Sequence, residues 1–110
     1  MEIDEKNERW SEENMVDLIR ATRNNLIKDF LDERHMKDYV HQQYKIGALS
    51  NIKIQSIKKD LMNLLVTPVN VNSYATLIQY IKTNDVAVIS DENRFLFYRE
   101  IEMILKKYIY

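Results

Sequence analysis

The side chains best suited to recognition chemistry lie in a stretch without acidic residues, from Leu61 to Asn84, although 17 of the 110 residues in the chain are acidic. On a helix over residues 72–84, the uncharged polar side chains and the apolar side chains fall on opposite faces. The polar face holds Asn72, Thr76, Gln79 and Thr83, and the apolar face holds Tyr74, Leu77, Ile78 and Ile81. Asn and Gln can pair with adenine edges, while Thr offers a hydroxyl and a methyl group. Such a face can approach a phosphate-lined groove without repulsion.

Basic side chains lie beside and within this stretch. Lys58 and Lys59 precede it and Lys82 lies inside it, and all three can contact phosphates. Charge is also divided along the chain. Residues 1–44 carry eleven acidic and seven basic side chains, whereas residues 45–110 carry six and nine. This asymmetry can draw the second part towards a polyanion. A helix with an ordinary solvated and uncharged outer face explains the same pattern equally well.

Catalytic and metal-binding chemistry is not favoured. The chain has no cysteine and a single glycine, Gly47, so neither a thiolate metal site nor a glycine-rich phosphate loop is available. His35 and His41 are six residues apart, which does not bring two ligands to one face of a helix. Neighbouring acids such as Asp32 and Glu33 point in different directions. We therefore expect no metal, no cofactor and no enzymatic activity.

Caps and apolar spacing predict two helices in the first half of the chain. Ser11 is a favourable N-cap, and Glu12 and Glu13 suit the positive end of the helix dipole. Apolar residues then recur at three- and four-residue steps, which predicts a helix to about Leu31. A second helical stretch follows and ends near Gly47, where a left-handed cap fits.

Two more helices are predicted before residue 85. Ser50 is a second N-cap, and the apolar residues that follow it mark one helix face: Ile54, Ile57, Leu61, Leu64 and Leu65. Pro68 ends this helix, because proline disfavours the helical conformation of the residue before it and has no amide to donate. The fourth helix is the one over residues 72–84.

The segment 86–98 fits two structures. Val86 to Ser90 and Arg94 to Tyr98 are rich in β-branched and aromatic residues, and they enclose a polar turn, which is typical of a β-hairpin. The segment also fits a helix capped by Ser90 or Asp91. The apolar stripe of that helix would be Phe97, Ile101, Ile104 and Tyr108. The hairpin is the preferred interpretation, and a helix is expected from Arg99 onwards in either case.

The order of these elements resembles that of a winged helix-turn-helix DNA-binding domain over about residues 50–98. Residues 57–65 match its supporting helix, 72–83 its recognition helix and 86–98 its wing. In that family the recognition helix enters the major groove, and the wing lies against the DNA backbone or minor groove. The resemblance implies two sets of contacts, to bases from Asn72, Ser73, Thr76 and Gln79, and to phosphates from Lys58, Lys59, Lys82 and Arg94.

The expected fold is mainly α, a single compact helical domain over residues 1–110 with a small β-hairpin, or else an all-α helical bundle. Its expected parts are a flexible N-terminus over 1–10, N-terminal helices over 11–46, the winged-helix-like segment over 50–98, and a C-terminal helix over 99–110. The acidic start, the lack of cysteine and the absence of a long apolar run predict a cytoplasmic protein that does not span a membrane.

Two functions fit this sequence. One is a small DNA-binding regulator that reads the major groove of double-stranded DNA with helix 72–84, as a homodimer paired through its N-terminal and C-terminal helices. The alternative is an all-helical protein-interaction module that masks a protein target. Inhibitors, antitoxins, immunity factors and phage-encoded modulators belong to this second class.

Overall fold

The computed structural model describes residues 10–44 and 50–109 of the chain. These residues form five α-helices and one short 3-10 helix, with no β-strand among them. The helices are α1 Glu12–Phe30, α2 Glu33–Tyr44, α3 Asn51–Val66, α4 Ala75–Asn84 and α5 Phe95–Ile109, and the 3-10 helix is Asp91–Asn93. The fold is therefore mainly helical, and it agrees with the all-α alternative.

Both predicted serine caps are confirmed. The Ser11 hydroxyl accepts a hydrogen bond from the amide of Asn14 at 3.2 Å, and Ser50 accepts one from the amide of Lys53 at 3.3 Å. Each bond satisfies an amide that the first turn of a helix leaves without a partner. The expected cap at Gly47 lies outside the described residues, and so does almost all of the expected flexible segment 1–10.

The buried residues form two clusters. The first joins α2 and α3 to α1 and α5, and it contains Ile27, Phe30, Met36, Val40, Ile54, Ile57, Leu61, Ile101, Ile104 and Leu105. The second joins α4 and the adjoining segments to α1 and α5, and it contains Met15, Ile19, Leu26, Val69, Tyr74, Leu77, Ile78, Ile81, Ile89 and Phe97. α1 and α5 therefore run through both clusters, with α2 and α3 at one end and α4 at the other.

The segment 86–98 does not form the β-hairpin that was the preferred interpretation of its sequence. Residues 86–90 have no regular structure, and the chain then turns through the 3-10 helix into α5. Phe97, Ile101 and Ile104 are buried on one stripe of α5, which is the helical alternative. Because this stripe continues into the C-terminal helix, it buries more apolar area than an isolated two-stranded hairpin, which is marginal in water.

The break between α3 and α4 lies where Pro68 predicts it. α3 ends at Val66, and Thr67 has an extended backbone with φ −85° and ψ 131°, the conformation that a following proline favours. Residues 71–74 form a turn, so α4 begins at Ala75 and is shorter than the predicted helix over 72–84. No helix in the described ranges is long and apolar enough to cross a membrane.

Candidate functional site

The predicted base-reading side chains are exposed to solvent. Thr76 and Gln79 lie on the outer face of α4, and Asn72 and Ser73 lie in the turn that precedes it. The Asn70 side chain accepts a hydrogen bond from the amide of Asn72 at 3.0 Å, which fixes the start of this turn. The polar face inferred from the sequence therefore points outwards, although part of it lies ahead of the helix.

The predicted phosphate contacts fall into two groups. Lys58 is half-buried, and its Nζ lies 3.6 Å from Oε1 of Glu33 at the start of α2. Nε of Arg94 lies 3.5 Å from Oδ1 of Asp91. Lys59 and Lys82 are exposed, and neither has an ion pair within the described part of the chain. Two of the four cations thus have acidic partners within the chain.

The main packing partners of α3 and α4 are different. The buried residues of α3 belong to the first core cluster and those of α4 to the second. α3 packs against α1 and α5, whereas α4 packs against α1. In the DNA-binding motif, the two helices are joined by a short turn and hold a fixed angle to each other. Lys58 and Lys59 therefore lie on a helix whose buried face belongs to the first cluster, whereas the outer face of α4 belongs to a helix of the second.

The outward face of α3 carries apolar side chains that no part of the described chain covers. Ile52, Met62 and Val66 are 80%, 56% and 82% exposed. With the exposed Gln55 and Lys59 they follow the spacing of three and four residues that is typical of a helix packed against another helix. We call this stripe the α3 surface; its residues are Ile52, Gln55, Lys59, Met62 and Val66.

The α3 surface contains no carboxylate. The single acidic residue of α3, Asp60, is half-buried on another face of the helix, where it binds α5. Its Oδ2 accepts a hydrogen bond from the hydroxyl of Tyr108 at 2.6 Å and lies 3.9 Å from Nζ of Lys107. This hydrogen bond raises the pKa of the Tyr108 hydroxyl. Lys59 therefore gives the α3 surface a positive charge that Asp60 does not neutralise directly.

A second candidate site is an open pocket of about 530 Å³ between α1, α2 and α5. Four aromatic residues line it, namely Phe30, Tyr39, Phe95 and Tyr98. The rings of Phe30 and Tyr39 meet edge to face with centroids 4.9 Å apart, and those of Tyr39 and Tyr98 stack at 5.9 Å. Phe95 is 46% exposed at the pocket. We call this the aromatic pocket.

The polar lining of the aromatic pocket consists of two carboxylates, the imidazole of His35 and the side-chain amides of Gln42 and Gln43. Asp29 of α1 and Asp38 of α2 both line it and are both exposed, and no lysine or arginine is among the described residues that form its wall. Burial, with smaller contributions from Glu102 and Tyr98, raises the pKa of the Tyr39 hydroxyl. The pocket combines aromatic rings with two carboxylates.

A set of polar contacts around Arg23 and Glu100 joins α1 and α5 to the segment between α3 and α4. Arg23 is 2% exposed, and its Nη2 donates a hydrogen bond to the carbonyl of Thr67 at 2.7 Å. The hydroxyl of Tyr74 donates to the Glu100 carboxylate. Burial lowers the pKa of Arg23, while Glu100 acts in the opposite sense. Burial raises the pKa of Glu100, and Arg23 offsets part of this effect. These contacts are made within the chain and serve the fold.

Sequence reasoning missed the α3 surface and the aromatic pocket. α3 is apolar on two faces, with Ile54, Ile57 and Leu61 on the buried one, and spacing alone does not say which face the core takes. The pocket combines residues from three helices that are far apart in sequence. No group of three or more histidine, aspartate or glutamate side chains in the described ranges is placed to hold a metal ion.

The expected homodimer contact along the first helix has little apolar area. All exposed residues of α1 other than Ala21 are charged or polar, since the apolar residues of α1 are used in the two core clusters.

Comparison with known proteins identifies no relative. No protein-family model, curated protein or solved structure matches the chain.

Proposed function

We propose that this chain is a protein-interaction module, and that the α3 surface docks an amphipathic helix of a partner protein. The observation that carries this proposal is the exposure of Ile52, Met62 and Val66 at the spacing used by helices that pack together. Apolar residues so spaced and left in water are typical of a binding face. α3 has 16 residues and is about 24 Å long, enough for several turns of a partner helix to pack against it.

The charge of the α3 surface selects the chemistry of the partner. Lys59 lies in the middle of the stripe, so two α3 surfaces from two copies of the chain would bring two lysines together in either direction. Like charges placed at the centre of an interface disfavour that pairing. A partner helix with apolar residues at the matching positions and a glutamate or aspartate opposite Lys59 satisfies both the apolar and the charged residues.

A pair of synthetic helices tests this proposal by calorimetry with the full chain. Both are amphipathic peptides of about three heptads with leucine at the core positions; one carries glutamate and the other lysine at the position that faces Lys59. The glutamate peptide should bind about fivefold to tenfold more tightly. Lys59→Glu should reverse the preference, and Met62→Ser with Val66→Ser should weaken binding of both peptides at least about tenfold.

Gln79→Ala is the control, because Gln79 is also exposed but lies on α4. It should leave binding of both peptides unchanged. An unchanged peptide preference in the Lys59→Glu variant would contradict the proposal, and so would equal binding by the double serine variant and the wild-type chain.

DNA binding remains a second candidate, because the outer face of α4 is exposed with Thr76, Gln79 and Lys82 on it. A mobility-shift titration with double-stranded DNA at two salt concentrations tests it. Binding through several phosphates predicts a steep loss of affinity with salt, a uniform loss in Lys82→Ala, and a relaxed sequence preference in Gln79→Ala. Equal binding by these variants and the wild-type chain, or no shift at low salt, would remove this candidate.

A further inference from the structure

We infer that the aromatic pocket is a binding site for an arginine side chain presented by a protein partner. The proposal does not rest on the proposed role of α3, because the pocket is built by α1, α2 and α5 and shares no residue with the α3 surface. It assigns a ligand chemistry to a cavity of about 530 Å³, a size in the range of known ligand sites.

The aromatic rings supply the first part of the argument. A cation near the face of an aromatic ring is attracted by the electron density of that face. Phe95, at the pocket, already takes part in such a contact within the chain, since the guanidinium carbon of Arg99 lies 5.3 Å from the centre of its ring. Tyr39 and Tyr98 are half-buried in the wall and stacked with an interplanar angle of 19°. This surface suits a flat cation that can lie along the rings.

The carboxylates supply the second part. Asp29 and Asp38 are contributed by different helices, and both line the pocket. An aromatic pocket with a neutral polar lining would suit an apolar ligand, whereas two carboxylates in a described wall that contains His35 but no lysine or arginine favour a cation. Guanidinium fits better than ammonium, because it is planar, binds carboxylate through two parallel hydrogen bonds and stacks on aromatic rings.

The shape of the pocket favours a side chain on a protein over a small free cation. The pocket is open to solvent, and its outer residues on α2, Gln42 and Gln43, are exposed. A small free ammonium ion gains most in an enclosed site, where it is surrounded on all sides. A side chain on a partner protein enters from one direction, and its backbone can pair with amides such as those of the two glutamines.

The test is a titration of the labelled full chain, followed through the ring protons of Tyr39 and Tyr98 by NMR. The probes are three blocked tripeptides with arginine, lysine or citrulline between two glycines. Citrulline has the shape of arginine without its charge. Arginine should bind about tenfold more tightly than citrulline and more tightly than lysine. Tetramethylammonium serves as the free-cation probe and should bind more weakly than the arginine peptide.

Asp29→Asn with Asp38→Asn should weaken arginine binding about fivefold to tenfold without unfolding the chain, because both side chains are exposed. Asp17→Asn is the matched control, since Asp17 is an exposed acid of α1 outside the pocket, and it should leave binding unchanged. Phe95→Leu keeps the apolar character and should weaken arginine binding more than citrulline binding. Equal binding of arginine and citrulline would overturn the proposal, as would stronger binding of tetramethylammonium or an unchanged arginine affinity in the asparagine variant.

Discussion

Arg23 shows how one charged side chain can be buried at the junction of several elements. It is the buried charged residue of the described chain, it donates to the Thr67 carbonyl, and Glu100 lies close enough to influence its pKa. A buried charge is tolerated when hydrogen bonds and an opposite charge replace its lost hydration. The sequence did not predict this role, because Arg23 lies among apolar residues of a helix whose other charges are exposed.

Replacing Arg23 should therefore destabilise the fold. Arg23→Met keeps the length and apolar stem but leaves the Thr67 carbonyl without its donor, so we expect a loss of about 2 kcal/mol in the free energy of unfolding. Arg23→Lys keeps the charge and should lose less. Urea denaturation measures both values, and a wild-type midpoint in Arg23→Met would show that the buried contact contributes nothing.

Glu100 should make stability depend on pH in the direction opposite to most carboxylates. Its pKa is raised above the usual 4.5 in the folded chain, chiefly by burial. Between 4.5 and the raised value, the folded chain holds a proton that the unfolded chain has released, so the contribution of Glu100 to stability falls as pH rises through this window.

The difference between wild type and Glu100→Gln isolates this contribution, because all other carboxylates are shared. Relative to the variant, the wild-type chain should lose stability as pH increases above 4.5 and should reach a constant difference above the raised pKa. Urea midpoints at a series of pH values provide the measurement. A relative gain of stability with rising pH would mean that attraction to Arg23 outweighs burial.

At the scale of the elements, local signals predicted most of the helices. Ser11 and Ser50 marked two starts, and the apolar spacing of α1, α3 and α4 indicated most of the residues that are buried, although Leu64 and Leu65 of α3 are only half-buried. The segment 86–98 was different, because Val86, Val88 and Phe95 suit a strand locally. The apolar stripe it shares with the C-terminal helix decides in favour of α5, and that contribution depends on contacts distant in sequence.

Backbone chemical shifts test this assignment directly. If residues 95–98 are the first turn of α5, their Cα carbons should shift downfield of random-coil values and show sequential amide contacts typical of a helix. The amide of Tyr98 should also be slow to exchange, since it donates to the carbonyl of Arg94 at 3.3 Å. Upfield Cα shifts with contacts between residues 86–90 and 94–98 would instead support the β-hairpin.

At the scale of the whole molecule, two core clusters lie along a body with extents of 57 × 24 × 21 Å. The sequence predicted many of the buried residues, although not Val69, Ile89 or Arg23. It did not predict their division between clusters, since that depends on where α3 and α4 pack along α1. This division places the buried faces of α3 and α4 in different clusters. Because α1 and α5 contribute to both clusters, the two ends should unfold together.

Two truncations, one in each cluster, test this cooperativity. Leu61 and Leu77 are both fully buried, in the first and second cluster respectively. Leu61→Ala and Leu77→Ala should each cost about 2–5 kcal/mol, and each should speed hydrogen exchange of the slowest amides in α3 and in α4 by the same factor. Faster exchange confined to α4 in the Leu77→Ala variant would show two independently unfolding units.

The central claim is that the chain binds through the outward face of α3. Its most direct measurement is an amide chemical-shift map of the labelled protein titrated with the glutamate-bearing amphipathic helix. The account predicts that the largest shifts follow Ile52, Gln55, Lys59, Met62 and Val66, while Thr76 and Gln79 of α4 stay unchanged. Shifts centred on α4, or no saturable shifts on α3 at millimolar peptide, would contradict it.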